Sequence, residues 1–378
     1  MRALTLPLAS LAALACSDGP LVTSRAIDAN VTTETTADAV VYWNGIARGL
    51  VAKNGSSAPF AIRGYATLSV AQHNAAVGVS DRAVPAAVSA ASGVALSYLY
   101  PNEAAGLDVL LQQYLAGLNA DAAAVSAGRA AAAQVVAYAQ GDRFFDPWTG
   151  TVPTGPGMWF SSTPPVGANF GKAKTYFLLA GNQFRPPPHP AFGSPEFLES
   201  LAQVRRISDA RTAVQDSIAK FWNFPVGTYQ PPGYWNEEAA RLTLKYKLTE
   251  RKAAHLFALM NAVALDGIIA SHEAKFTYWL LRPTMADPAI TLAIGLPNFP
   301  SYPSNHAAIS AGMAAILGAE FPSERLRLSE LADQAALSRV YGGIHYWFDG
   351  TAGLTLGRQV AEWALEHVVS LRVPFPLN

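Results

Sequence analysis

The chain has 378 residues, 51% hydrophobic and 14% charged, with Lys+Arg and Asp+Glu equal at 27 each. That is enough apolar chain for a large core and too little charge for disorder. The balance excludes a global basic field for nucleic acid, and no RRM, zinc-finger or basic-helix signature is present. The lone cysteine, Cys16, excludes an intrachain disulfide and a cysteine-based zinc cluster.

Residues 1–16, MRALTLPLASLAALAC, carry a basic residue, an apolar run and small residues before the cysteine. The pattern reads as a short export signal of the lipoprotein kind, with Cys16 as the lipid-bearing residue. An exported, periplasmic or cell-surface location with a lipid anchor is the expectation. Residues 17–36 read as a flexible tether, and residues 37–378 as the folded domain.

Helical periodicity begins at residues 37–53, where Val40, Trp43, Ile46 and Leu50 fall on one face. Ala-rich helices are predicted at 59–78, 84–99, 104–118 and 121–140. From Gly141 to Ser194 the chain turns rich in Pro, Gly and aromatics, which predicts a long irregular segment packed over the helices. Helices resume at 195–223, 235–248, 250–282, 304–318, 323–341 and 345–369. The most apolar window, 253–270, is interrupted by His255, Asn261 and Asp266, so it reads as a buried helix and not a transmembrane span. No βαβ alternation or fixed repeat is seen. The fold class is all-α, a helical bundle in one domain.

Three segments carry unusual polar residues. In KFTYWLLRP, Lys275 and Arg282 are seven apart, two helical turns, which predicts one shared face until Pro283 ends the helix. Their neighbours are apolar, so both cations are expected to be buried and to need partners. In FPSYPSNH, Ser304 sits at an N-cap position, where free amides and a positive dipole end favour an anion. A histidine at that place, His306, suggests chemistry on the anion. In SRVYGGIH, the Gly342–Gly343 pair breaks a helix between Arg339 and His345 and lets a turn bring both to one place. HEAKF lacks the second histidine of a zincin, and no G-x-S-x-G, Walker or G-x-G-x-x-G motif is found. His73, His189, His255 and His367 receive no role. Asp266 and Glu273 are weaker candidates to pair with a cation of the site.

Together these segments spell K-x6-RP, PS-x-H and SR-x5-H within residues 270–350. That order resembles the vanadium-dependent haloperoxidase and type 2 phosphatidic acid phosphatase (PAP2) superfamily. The YWNGIARGL opening, the PGMWFSSTPP to PAFGSPEF segment and DGIIASHEAKFTYWLLRP are similar to its bacterial haloperoxidase branch. The resemblance implies a helical bundle that cradles vanadate, or phosphate in the same site. It implies that Lys275, Arg282 and Arg339 balance the oxyanion, Ser304 donates its hydroxyl and Asn305 its backbone N–H. His345 would meet the central atom, as the metal ligand when that atom is vanadium, and His306 would be the acid–base residue.

The implied chemistry is oxidation of a halide by hydrogen peroxide to hypohalous acid. The alternative is hydrolysis of a phosphate ester through a phosphohistidine, as in a soluble acid phosphatase. A third reading, from a different class, is a surface lipoprotein that binds oxyanions without turnover. The sequence departs from the family pattern at Asn305, where glycine is usual, and at His272, where haloperoxidases often carry tryptophan. Phe299 matches the aromatic on the halide side of chloroperoxidase-like members.

Overall fold

A computed structural model describes residues 37–377. The expected export signal with Cys16 and the expected tether lie outside the described residues. Thirteen α-helices and no β-strand occur among those described, as the periodicity predicts.

The first five helices are α1 (Asp38–Lys53), α2 (Ala58–Val77), α3 (Val84–Leu99), α4 (Ala104–Gly117) and α5 (Ala122–Gln140). Small residues let α2, α3 and α5 pack closely on one another. The Pro/Gly-rich segment then runs to α6 (Pro195–Asp209) and α7 (Ala213–Phe221). One helix was expected over 195–223. It is split because Thr212 starts α7 afresh: its hydroxyl accepts from Gln215 N, and the Gln215 side chain accepts from Thr212 N. Helix α8 (Gln230–Lys245) starts earlier than predicted, with Pro231 and Pro232 in its first turn, where a missing N–H costs no hydrogen bond.

Helix α9 (Glu250–Tyr278) is the axle of the molecule and packs against α2, α8 and α13 as well as α11. It is long and apolar enough to cross a membrane, yet its most apolar window is 94% buried within the protein. Its N-terminus is tied down by Glu250, whose carboxylate accepts from the amides of Ala39 (3.1 Å) and Val40 (2.6 Å) at the start of α1. Its own buried Asn261 is bonded to Asn236 of α8 and Ser69 of α2.

The C-terminal end of α9 differs from the expected run to residue 282. Tyr278 is the last helical residue, and Trp279 takes a left-handed conformation (φ 52°, ψ 34°), costly for a bulky side chain. The irregular segment holds it there. Trp159 N donates to Trp279 O at 2.6 Å, Leu281 N donates to Gly157 O at 3.0 Å, and Leu280 bridges to Met158. Pro283 does not end a helix but opens the short α10 (Pro283–Ala286). Arg282 is therefore in extended backbone and shares no helix face with Lys275.

Three helices complete the site: α11 (Asn305–Glu320), α12 (Arg325–Tyr341) and α13 (Trp347–His367). Helix α11 packs on α9, α12 and α13. At Gly353 of α13 a Cβ would lie 2.5 Å from Ser304 O, so only glycine lets α13 approach the start of α11 this closely.

Candidate active site

The candidate site lies where the end of α9, the loop before α11, the end of α12 and the start of α13 meet. Lys275, Arg282, Ser304, Asn305, Arg339 and His345 are all buried there. His306 keeps some exposure.

Lys275, in the last turn of α9, spends its three ammonium protons on the carbonyls of Pro300, Ser301 (2.6 Å) and Pro303. It thereby shapes the loop that delivers Ser304. Arg282 gives Nε to Phe299 O (3.0 Å) and Nη1 to Ile344 O (2.8 Å) and His345 Nε2 (3.0 Å), while its Nη2 has no partner among the described residues. Arg339 gives Nη1 to Trp222 O at 3.3 Å, and its buried Nε has no partner among the described residues. Both cations of the first segment sit over the Phe299 ring, with Lys275 Nζ at 5.3 Å and Arg282 Cζ at 5.1 Å from its centroid. The two are thus brought together, by a left-handed turn and not by helical spacing.

Burial lowers the pKa of all three cations. Lys275 falls well below its ordinary range through burial and then the Arg282 charge. Arg282 is brought down to about 10, burial again leading, and Arg339 to about 9 by burial and Arg282. Among the described residues none of the three is ion-paired to a carboxylate; Asp349 is the buried acid whose field reaches Lys275 and Arg282. Three buried cations against one buried acid, with two guanidinium nitrogens unpartnered, leave the cradle short of negative charge.

Ser304 caps α11, accepting from Ala307 N at 3.4 Å, so its hydroxyl proton is still available to a ligand. Its own amide donates to Asp349 O at 2.9 Å. The Asn305 side chain, the first of the two departures, does not project freely. Ser271 Oγ donates to its Oδ1 (2.8 Å), and its Nδ2 donates to His272 Nε2 (2.9 Å). The two unusual positions of the sequence are therefore bonded to each other. His272 is buried beside Phe299, ring centroids 5.3 Å apart, so it belongs to the wall of the site and not to its rim.

At the end of α12, Gly343 adopts φ +81° and Ile344 N returns to Arg339 O (3.1 Å), the glycine turn the sequence predicts. It swings His345 back beside Arg339 and Arg282. His345 Nδ1 meets Asp349 Oδ2 at 2.7 Å. A carboxylate accepting from Nδ1–H leaves the lone pair on Nε2, facing the cradle side where Arg282 donates. Asp349 is held in turn by Ser301 Oγ (2.5 Å) and Tyr346 N (3.1 Å). Burial raises Asp349 to about 6 despite these donors. His345 is pushed well below the usual imidazole range by burial, then by Arg282 and Lys275.

His306 Nε2 lies 3.0 Å from Trp222 O, and a carbonyl can only accept, so Nε2 carries the proton and Nδ1 the lone pair. Burial of the ring and the Arg339 charge keep it neutral, well below its ordinary pKa. Trp222 follows the last residue of α7, so its carbonyl belongs to the negative end of that helix.

Asp349, Ser301 and Trp222 are functional neighbours that the sequence reading missed. Asp349 had a signal, one helical turn beyond His345; Trp222 had none. Asp266 and Glu273 are not partners of the cradle. Asp266 accepts the amides of Tyr176, Phe177 and Leu178, and Glu273 pairs with Arg185. His73 and His255, given no role, meet ring to ring at 4.9 Å beneath Phe375 and serve packing of the C-terminal strap.

Residues 253–370 match the family model described as PAP2 superfamily. They contain the cradle side chains from Lys275 to Asp349, whereas Trp222 lies outside them. The chain carries a PAP2-superfamily domain. No curated protein matches the sequence. Among solved structures, a bacterial vanadium-dependent iodoperoxidase superposes with a TM-score of 0.77 at 20% identity, over 90% of this chain and 98% of that one. The holo-type bacterial vanadium-dependent chloroperoxidase gives 0.67 at 14%, over 90% and 97%. The apo-type chloroperoxidase gives 0.67 at 14%, over 81% and 94%. The likeness extends over α1–α8, outside the PAP2 domain, and establishes the haloperoxidase-type all-α fold.

Proposed function

We propose that this protein is a vanadium-dependent haloperoxidase-type enzyme that uses hydrogen peroxide to oxidise halide. The observation that carries the reading is the charge deficit of the cradle: Lys275, Arg282 and Arg339 are buried together, and Arg282 Nη2 and Arg339 Nε lack partners among the described residues. A tetrahedral oxyanion supplies the missing charge and the missing acceptors, so vanadate fits the residues present. Arg282 and Arg339 would hold it, with the Ser304 hydroxyl and the Asn305 amide at the start of α11. Lys275 would act mainly through its field, since its protons keep the loop in shape. His345 would offer Nε2 as the ligand, and His306 would take and return a proton at Nδ1. Vanadate, when bound, would make peroxide electrophilic toward halide.

The extent of the fold likeness, 98% of the iodoperoxidase chain, favours this branch. The second reading is a phosphatase acting on phosphate esters through His345. It is supported by the same Nε2, made nucleophilic by Asp349 on the far nitrogen. Export with a lipid anchor at Cys16 belongs to the proposal and is carried by the N-terminal pattern alone.

One paired assay tests both chemistries. Protein loaded with orthovanadate receives peroxide with iodide, bromide or chloride and a halogen-accepting dye; vanadate-free protein receives para-nitrophenyl phosphate. Vanadate-dependent halogenation suppressed by phosphate supports the first reading. Phosphate release alone supports the second, and oxyanion binding with neither activity leaves a binding protein.

A further inference from the structure

Helices α9 and α11 are joined beside the cradle by a chain of hydrogen bonds that neither charge balance nor cradle chemistry requires. Ser271 donates to Asn305 Oδ1, Asn305 Nδ2 donates to His272 Nε2, and His272 Nδ1 lies 3.0 Å from Gly167 O. The Ser271 hydroxyl also has the Ile268 carbonyl of its own helix within reach at 3.1 Å, and Asn305 Oδ1 is the nearer acceptor at 2.8 Å. The Gly167 carbonyl can only accept, so Nδ1 carries the proton of the neutral ring, and the bare Nε2 accepts from the Asn305 amide nitrogen. A second ring proton would set two donors face to face. Burial, with Lys275 and Arg282 nearby, holds His272 down to about 3, so this neutral tautomer persists throughout the neutral range.

The same ring supports the wall of the site. Phe299, Phe170 and Phe276 surround it at 5.3, 5.0 and 5.9 Å between centroids. Phe299 in turn lies against both Lys275 and Arg282. Asn305 is the first residue of α11, and its backbone N–H is among the amides that a helix start leaves without an internal partner. Fixing its side chain fixes the direction of that amide.

We propose that Ser271, Asn305 and His272 form a positioning unit that aims the first turn of α11 and sets how tightly the cradle holds an oxyanion. The proposal rests on the oxyanion reading of the cradle. His272 acts through Asn305 and through Phe299, without touching the ligand.

The test is calorimetric titration of inorganic phosphate, and separately of orthovanadate, into the full chain. The proteins are wild type, His272→Leu, Asn305→Gly, the double variant and His272→Gln, each with a thermal melt. His272→Leu leaves a buried amide without its acceptor and is expected to weaken both anions about tenfold. In the Asn305→Gly background the same change is expected to cost less than about twofold, because its partner is already gone. His272→Gln keeps an acceptor and a donor and is expected to stay within about threefold of wild type. A full tenfold loss on glycine at 305, or no loss in His272→Leu, overturns the unit while leaving the oxyanion site intact. Wild-type protein that binds neither anion overturns the oxyanion reading and the unit with it. Should His272→Leu fail to fold, a tenfold loss in a folded His272→Gln decides against the unit.

Discussion

His345 Nδ1 and Asp349 Oδ2 lie 2.7 Å apart, one turn of chain from each other, both buried. Asp349 sits in the first turn of α13 and His345 just before it, so the helix start fixes the tautomer that points Nε2 at the cradle. Asp349→Asn keeps the shape but loses the charge and can turn a donor toward Nδ1. Turnover and orthovanadate affinity are each expected to fall by about 10–100-fold. Unchanged affinity in the variant would remove Asp349 from the site.

His306 plays a different part, since its Nε2 is committed to Trp222 O and only Nδ1 is left for proton transfer. His306→Ala is expected to lower turnover by about 10²–10⁴-fold while oxyanion affinity changes far less. Parallel loss of both, in titration and in steady-state rates, would argue against an acid–base role.

The charge deficit predicts that an oxyanion stabilises the folded protein. Phosphate at about 100 times its Kd should add about 2.7 kcal/mol, read as a rise in melting temperature. Arg282→Gln should diminish that rise, because it removes a buried donor. Equal stabilisation by chloride at the same ionic strength would mean that no specific site exists.

Gly353 faces Ser304 O across the α11–α13 contact, and a built Cβ lies only 2.5 Å from it. Gly353→Ala should push the helices apart and destabilise by about 1–3 kcal/mol. Because Ser304 N is bonded to Asp349 O across the same contact, phosphate affinity should fall as well. Denaturant unfolding and titration on one preparation measure both.

Glu250 supplies a pH signature remote from the site. Burial raises it to about 8, against the amides of Val40 and Ala39 that favour its charged form. A carboxyl whose folded pKa exceeds its unfolded value contributes stability that is complete below the unfolded pKa of about 4.5 and is lost as pH rises through about 8. Melting temperature should therefore decline over that window, and Glu250→Gln should flatten the decline. An identical profile in the variant would show that Glu250 is not the group responsible.

Much of the architecture was written in local patterns. Apolar periodicity marked α1 to α5, and Ser304 before a run of small residues marked α11. The Gly342–Gly343 turn was legible because glycine answers a backbone demand that few other residues meet. The break between α6 and α7 was also legible in Thr212 and Gln215, a capping pair that was passed over.

Other features had no local signature. The seven-residue spacing of Lys275 and Arg282 predicts a shared helix face, yet they converge because Trp159 and Gly157, over a hundred residues earlier, pin the chain at Trp279 and Leu281. Trp222 enters the site through its carbonyl, a group every residue has. The mutual bond of Asn305 and His272 joins residues 33 apart.

The sequence by itself determined the all-α class, the PAP2 motif residues and their order, because helical period, caps and glycine turns are short-range properties. Only the tertiary structure decided how those residues meet. It spends the Lys275 protons on the loop, leaves Arg282 Nη2 and Arg339 Nε without partners among the described residues, and sets the tautomers of His306 and His345. Those outcomes depend on which carbonyl or carboxylate lies within 3 Å or so of each buried nitrogen, and that is settled by packing between distant segments.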